Sequence, residues 1–334
     1  MNLKKNWIYV AICVAVFGIL LGLATAFDYK ISSTIADLDK GEFYSNNLFG
    51  QIIEVIGSFP IYYMIALALF AIAYNYQRID KRWLSILVFC ICIAGALLAT
   101  YIGVDDCMDD FADHSVKYLN WPEGFKFLLC FGIAVIIYAP TFYFFNNLKQ
   151  ATHRKLLIWA IVVLGMVVIS QVFIYILKPL AGRLRYRGIS ILGEEYTFVP
   201  WYDFNGSVDK EAVLLANPEL LVYGEEVALD LIRDSFRSFP SGHTASSAAV
   251  YGFLYLPFCI NKFNDKKWKI LLNVLTVLFT GLVAVGRIVV GAHYFSDVLV
   301  GGTITYASLW LSALIFEKLR VKLLAKEPME LKAE

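Results

Sequence analysis

Apolar stretches of about 20 residues recur along this chain, at 7–27, 59–74, 83–104, 125–145, 156–177, 244–260, 270–290 and 294–316. A helix of about 20 residues crosses the hydrocarbon core of a bilayer. Backbone in lipid must satisfy its own hydrogen bonds, so such runs fold as spanning helices. Composition agrees. Of 334 residues, 59% are hydrophobic and 17% charged, whereas a soluble domain carries about a quarter charged residues. Mean hydropathy is +0.63. The expectation is an all-α, polytopic helical membrane protein with about eight spans; six or seven are compatible with the shorter runs at 59–74 and 244–260.

A net charge of +1 gives no global field for nucleic acid. The placement of charge says more. Lys4 and Lys5, then Arg78, Lys81 and Arg82, then Lys149, Arg154 and Lys155, then Lys262, Lys266 and Lys267, and finally Lys318, Arg320 and Lys322 mark alternate connections. The positive-inside rule makes these cytoplasmic, with both termini inside. An acidic connection, Asp105 to Asp113, then lies outside and reads as a solvated face. The first run is longer than the apolar core of a signal peptide and reads as an anchor. Of six cysteines, Cys13, Cys90, Cys92, Cys130 and Cys259 fall in apolar runs, where they are usually small packing residues. Their spacing suits neither a metal site nor a disulfide framework.

The chain divides into N-terminal spans (1–155), a core (156–317) interrupted by a long polar outer loop (178–241), and a cytoplasmic tail (318–334). The loop opens on a basic cluster, Lys178, Arg183, Arg185 and Arg187, passes an aromatic stretch at 196–204, and continues through an acidic segment at 209–234. In that segment Val213, Leu214, Leu220, Leu221, Val227 and Leu231 recur with weak helical spacing.

Three clusters lie at the outer ends of spans. Lys178 and Arg185 are separated by six residues. Basic groups at a helix end ordinarily snorkel to headgroups, but here they stand against the positive-inside trend, and an anionic ligand explains that. Pro240-Ser241-Gly242-His243 precedes the next span. It is either an ordinary helix cap with a satisfied histidine or a backbone that presents N–H groups to an anion. Arg287 is followed by His293 and Asp297, the last two sharing a helix face at i,i+4. A carboxylate there can fix the imidazole tautomer and leave a nitrogen to act as nucleophile. Ionisable groups at the mouth of a span are costly and tend to be functional. His114 and His153 have no comparable neighbours.

In this order, Lys178-x6-Arg185, Pro240-Ser241-Gly242-His243 and Arg287-x5-His293-x3-Asp297 resemble the type 2 phosphatidic acid phosphatase superfamily. That superfamily includes lipid phosphate phosphatases, undecaprenyl-pyrophosphate phosphatases and vanadium haloperoxidases. Tyr186 stands where the family usually has proline, and Gly286 where it usually has serine. The resemblance implies a helical-bundle phosphatase core. It implies His293 as nucleophile, Asp297 as its orienting partner and His243 as general acid and then base. Lys178, Arg185 and Arg287, with Ser241 and the Gly242 amide, would hold the phosphoryl oxygens. It implies no cofactor and no metal.

The expected substrate is a lipid phosphate or lipid pyrophosphate, with phosphatidate, phosphatidylglycerophosphate and polyprenyl pyrophosphate all compatible. An outer-face site suits a bacterial cytoplasmic membrane. The alternatives are a lipid phosphotransferase using the same site and a non-enzymatic transporter or receptor for a phosphorylated ligand. The intact set of histidines, aspartate and cations argues against the latter. Transporters also often show inverted repeats, and no repeat is evident here.

Overall fold

The computed structural model describes residues 3–39, 43–75, 81–115, 123–193, 195–318 and 321. Among these residues all regular structure is helical. The long helices are α1 (Leu3–Ile35), α2 (Leu48–Ala73), α3 (Arg82–Ser115), α4 (Glu123–Asn146) and α5 (Gln150–Ala181). Short helices follow: α6 (Tyr186–Ile189), α7 (Lys210–Ala216), a 3-10 turn (Pro218–Tyr223), α8 (Glu225–Ser235) and α9 (Gly242–Ser247). Next come a second 3-10 segment (Ala248–Tyr255), α10 (Leu256–Cys259), α11 (Lys266–Val289) and α12 (Phe295–Ile315). Arg78 and most of the tail beyond 318 lie outside the described residues.

Seven of these helices are long and apolar enough to cross a membrane. The protein is therefore a polytopic α-helical membrane protein. The run expected at 244–260 is present as helical backbone from Gly242 to Cys259, but it changes from α to 3-10 and back. In its middle, Trp159 Nε1–H donates to the Gly252 carbonyl at 2.9 Å. A Cβ on Gly252 would lie 2.6 Å from Met64 and 2.9 Å from Val163, so close helix approach requires glycine there.

The chain forms two compact units. The first comprises Met1–Gln51, Ile174–Ser241 and Ala284–Gly301. It contains the polar insertion, which is helical and has its own small core of Leu184, Leu192, Val213, Leu214, Leu220, Ala228 and Ile232. On α8, Ala228, Leu231, Ile232 and Ser235 are buried at i, i+3, i+4 and i+7, the stripe of an amphipathic helix. Leu221 and Val227, expected on the same face, are about half exposed instead. The Asp209 side chain caps α7 by accepting the Ala212 N–H at 3.2 Å. At the end of α5, Gly182 adopts φ +54°. Beyond it Asn205 and Gly206 donate to the Ala181 and Leu180 carbonyls, both at 3.1 Å, so the last α5 carbonyls are satisfied by the loop. A Cβ on Gly182 would overlap the Gly206 carbonyl.

The second unit comprises Ile52–Phe173, Gly242–Val283 and Gly302–Glu334. Met64, Phe70, Trp159, Val163, Met166 and Leu309 lie at its core. Polar side chains tie the helices together. Ser170 and Thr305 hydroxyls bond at 2.7 Å, Thr305 donates to the Ala245 carbonyl at 3.0 Å, and Ser312 to the Val162 carbonyl at 2.7 Å.

One expectation changes here. The acidic stretch expected as a connection at 105–113 is instead helical, in the last turns of α3, with Asp106 and Asp109 exposed. Their charges are taken up laterally: Lys126 on α4 pairs with Asp105 at 3.3 Å and also with Asp109, and the Tyr62 hydroxyl donates to Asp106 at 3.0 Å. These partners lie 17 or more residues away in sequence, so residue spacing alone does not reveal them.

Candidate active site

In the first unit, α11 ends with Arg287 in its last turn. A tight turn follows, with Gly291 at φ +65°. A Cβ on Gly291 would lie 3.4 Å from the Arg187 backbone nitrogen, and the Gly291 carbonyl accepts that N–H at 2.8 Å. The Arg287 carbonyl accepts the N–H groups of Ala292 and His293, at 3.1 and 3.2 Å. His293 thus sits at the mouth of α12, with both ends of its turn tied down. Asp297, in the first turn of α12, reaches back to the Tyr294 N–H at 2.8 Å, as the third helical residue does in a capping box.

His293 and Asp297 are both fully buried. The imidazole Nδ1 lies 2.6 Å from the Ser238 carbonyl and 3.7 Å from Asp297 Oδ2. A carbonyl only accepts, so Nδ1 carries the proton in this bond and Nε2 the lone pair of the neutral ring. The sequence reading gave the orienting role to Asp297; the short contact is made instead by a backbone carbonyl.

Asp297 binds elsewhere. It accepts the Ser238 hydroxyl at 2.5 Å and Arg183 Nη1 at 2.5 Å. Arg183, fully buried, also donates to Ser296 Oγ at 2.7 Å, Asp28 Oδ2 at 3.0 Å and the Val199 carbonyl at 2.8 Å. Its guanidinium lies over the Tyr294 ring, 4.2 Å from the centroid. Asp28, on α1, closes the arrangement by accepting the Ser296 N–H at 2.8 Å as well as the Ser296 hydroxyl. One buried cation therefore sits between two carboxylates, with hydrogen bonds filling the rest of its fork, which is how a charge is tolerated in an interior. Burial also pushes the Tyr294 phenol well above its usual pKa, with Arg183 acting the other way.

A second basic group surrounds Lys178, in the last turn of α5. Its charged neighbours are Arg185, Arg237, Asp234 and Arg287. Asp234 is bonded by Arg185 at 2.8 Å and Arg187 at 2.6 Å. Burial raises the Asp234 carboxyl, but Arg185, Arg187 and Lys178 outweigh it and hold the group well below the usual carboxylate range. The segment is fixed by its backbone: Arg185 N–H donates to Ser235 at 2.7 Å and Ser238 N–H to Arg183 at 3.0 Å. Five basic side chains, Lys178, Arg185, Arg187, Arg237 and Arg287, around one carboxylate make a strongly electropositive cluster, suited to an anion with several oxygens.

Of the expected site residues, Lys178, Arg185, Ser241, Arg287, His293 and Asp297 belong to the first unit, and Gly242 and His243 to the second. Ser241 is anchored by its N–H to the Asp297 carbonyl at 3.0 Å. His243, in the first turn of α9, has Nε2 3.2 Å from Asp110 Oδ2 on α3. A Cβ on Gly57 of α2 would lie 3.7 Å from the His243 ring and 3.0 Å from Val283. His153 is buried and stacked on Tyr74 at 5.1 Å. The His114 side chain lies outside the described residues. Asp28, Asp110, Asp234 and Ser238 were not anticipated. An acid directly at the end of the first apolar run (7–27) was the available signal for Asp28.

The family model described as PAP2 superfamily matches residues 159–320, which include all three motifs. Over these residues the chain is similar to the PAP2 superfamily. Asp28 and Asp110 lie outside the PAP2 match, so two of the acids that contact its basic and histidine side chains come from the N-terminal helices. The chain is 32% identical over 77 residues to "Diacylglycerol pyrophosphate phosphatase 1" of Saccharomyces cerevisiae, covering 22% of this chain and 27% of that protein. It is 32% identical over 81 residues to "Probable diacylglycerol pyrophosphate phosphatase 1" of Schizosaccharomyces pombe, covering 23% and 29%. The chain thus matches less than a third of the length of these curated relatives. No solved structure matches it significantly.

Proposed function

We propose that this protein is a membrane-integral lipid phosphatase that works through a phosphohistidine on His293. The observation that carries this reading is the bond from His293 Nδ1 to the Ser238 carbonyl. It sets the tautomer whose Nε2 lone pair can attack phosphorus. The cation cluster of the same unit supports it, because phosphoryl transfer is catalysed chiefly by fixed positive charge around the moving group.

In the first step Nε2 forms a bond to phosphorus as the bond to the leaving oxygen breaks, and His243 gives that oxygen a proton. In the second step His243 takes a proton from water. The water oxygen bonds to phosphorus, the P–N bond breaks, and inorganic phosphate leaves with His293 restored. Lys178, Arg185 and Arg287 hold the nonbridging oxygens, with Ser241 and the Gly242 amide. Asp297 acts on the imidazole electrostatically and through Ser238. The substrate is a lipid phosphomonoester or pyrophosphate, and the names of the fungal relatives put a lipid pyrophosphate first among those to try. The charge pattern supports cytoplasmic termini and an outer-face site.

The test is phosphate release from a panel of lipid phosphates and pyrophosphates by purified protein in detergent with EDTA. Release that disappears in His293→Ala supports a metal-independent histidine phosphatase. Release that survives the substitution, or that EDTA abolishes, counts against it. No release without an added acceptor lipid, and transfer with one, points to the phosphotransferase.

A further inference from the structure

His243 is the one expected catalytic side chain in the second unit, and the carboxylate bonded to it there comes from outside the PAP2 match. Asp110 Oδ2 lies 3.2 Å from its Nε2, and both side chains are about three-quarters buried, at 25% and 23% exposure. Asp110 is in the last turns of α3, where a neighbouring carboxylate, Asp106, also acts on His243 electrostatically. The two acids are not equivalent. Asp106 is bonded by the Tyr62 hydroxyl at 3.0 Å, and Asp110 by the histidine. Two neighbours are small or apolar: Gly57 on α2, whose added Cβ would lie 3.7 Å from the ring, and Val283 on α11, fully buried beside Gly57.

We infer that Asp110 is a positioning residue for His243, fixing which imidazole nitrogen exchanges protons with the reacting oxygens. The inference rests on the acid–base role proposed above. An ionised carboxylate only accepts, so Nε2–H donates to it whenever the bond is made. The exchangeable proton is then on Nδ1. When the leaving oxygen takes that proton, a neutral ring remains with Nε2–H still on Asp110 and a lone pair on Nδ1. That lone pair is what must next accept a proton from water. One carboxylate thereby holds the ring in the correct tautomer for both steps, without touching the substrate.

A positioning role predicts a loss that depends on the leaving group. An alkoxide needs the proton in the transition state, whereas 4-nitrophenolate departs nearly unaided. The experiment compares phenethyl phosphate with 4-nitrophenyl phosphate, using the full chain purified in detergent. His243→Ala should slow the alkyl ester at least about 100-fold more than the aryl ester. Asp110→Asn should shift the same ratio by about tenfold or more, Asp110→Glu should restore part of it, and Asp106→Asn, which acts on the ring only through space, should shift it clearly less than Asp110→Asn. Equal losses on both esters in Asp110→Asn would mean a merely structural contact and would overturn the inference. So would a ratio shift in His243→Ala with none in Asp110→Asn; the acid assignment would then stand alone. No ratio shift in His243→Ala would remove the acid assignment itself, and the inference with it.

Discussion

Arg183 and Asp297 form an ion pair at 2.5 Å with neither side chain exposed to solvent. The pair makes Asp297 part of a buried lattice that also contains Asp28, Ser238 and Ser296. Removing one member of such a pair leaves a charge without compensation, which costs about 3–5 kcal/mol. Arg183→Met should therefore lower thermal stability in detergent sharply. Arg183→Lys keeps the charge but loses the fork, and should fold with reduced phosphate release. Equal melting temperatures for wild type and Arg183→Met would refute this account.

Asp297→Asn separates two roles. An amide oxygen can still accept the Tyr294 N–H, so the α12 cap survives, while the charge facing Arg183 is lost. Because the short Nδ1 contact of His293 is to Ser238, the ring keeps its tautomer. In a Ser-His-Asp triad, removing the orienting carboxylate costs about 10⁴ in kcat. Here the loss in phosphate release should be smaller, on the order of 10- to 100-fold. A loss as large as that of His293→Ala would show that Asp297 orients the ring directly.

The pH dependence of stability should carry a signature of Asp234. Its folded pKa is depressed, so it stabilises the native state fully above the unfolded carboxylate pKa of about 3.9, and the contribution fades as pH falls below that. Its side chain is 36% exposed, so the effect is modest. Melting temperatures of wild type and Asp234→Asn should differ at pH 6 and converge toward pH 3. A gap that widens on acidification would reverse the sign argued here.

Gly291→Ala tests the turn that delivers His293. Its φ of +65° is disfavoured for any side chain, and a Cβ would press on the Leu38 side chain. Such strain costs about 1–3 kcal/mol, so activity should fall together with stability. Gly281→Ala, where a Cβ meets nothing within 4 Å, is the control expected to behave as wild type.

The helical class was legible because it is written locally, as is the spacing that nominated the candidate site residues. A span is a run of apolar residues, and His293 and Asp297 are one helical turn apart. Their partners were not legible, since Asp28 meets Arg183 across 155 residues and Asp110 meets His243 across 133. Nothing in the spacing of the Ser238 region marks a carbonyl as the histidine's acceptor. The 244–260 run kept its helical character but not a single helix type, because its close approach to Trp159 is set by tertiary packing.

The Asp28 contact also bears on how this half of the chain could be moved. A chimera that transplanted residues 159–320 behind foreign membrane anchors would inherit Arg183 with half its counter-charge and a Ser296 amide with no carboxylate to meet. The portable unit is set by charge balance and not by family boundaries, and it begins no later than the first helix.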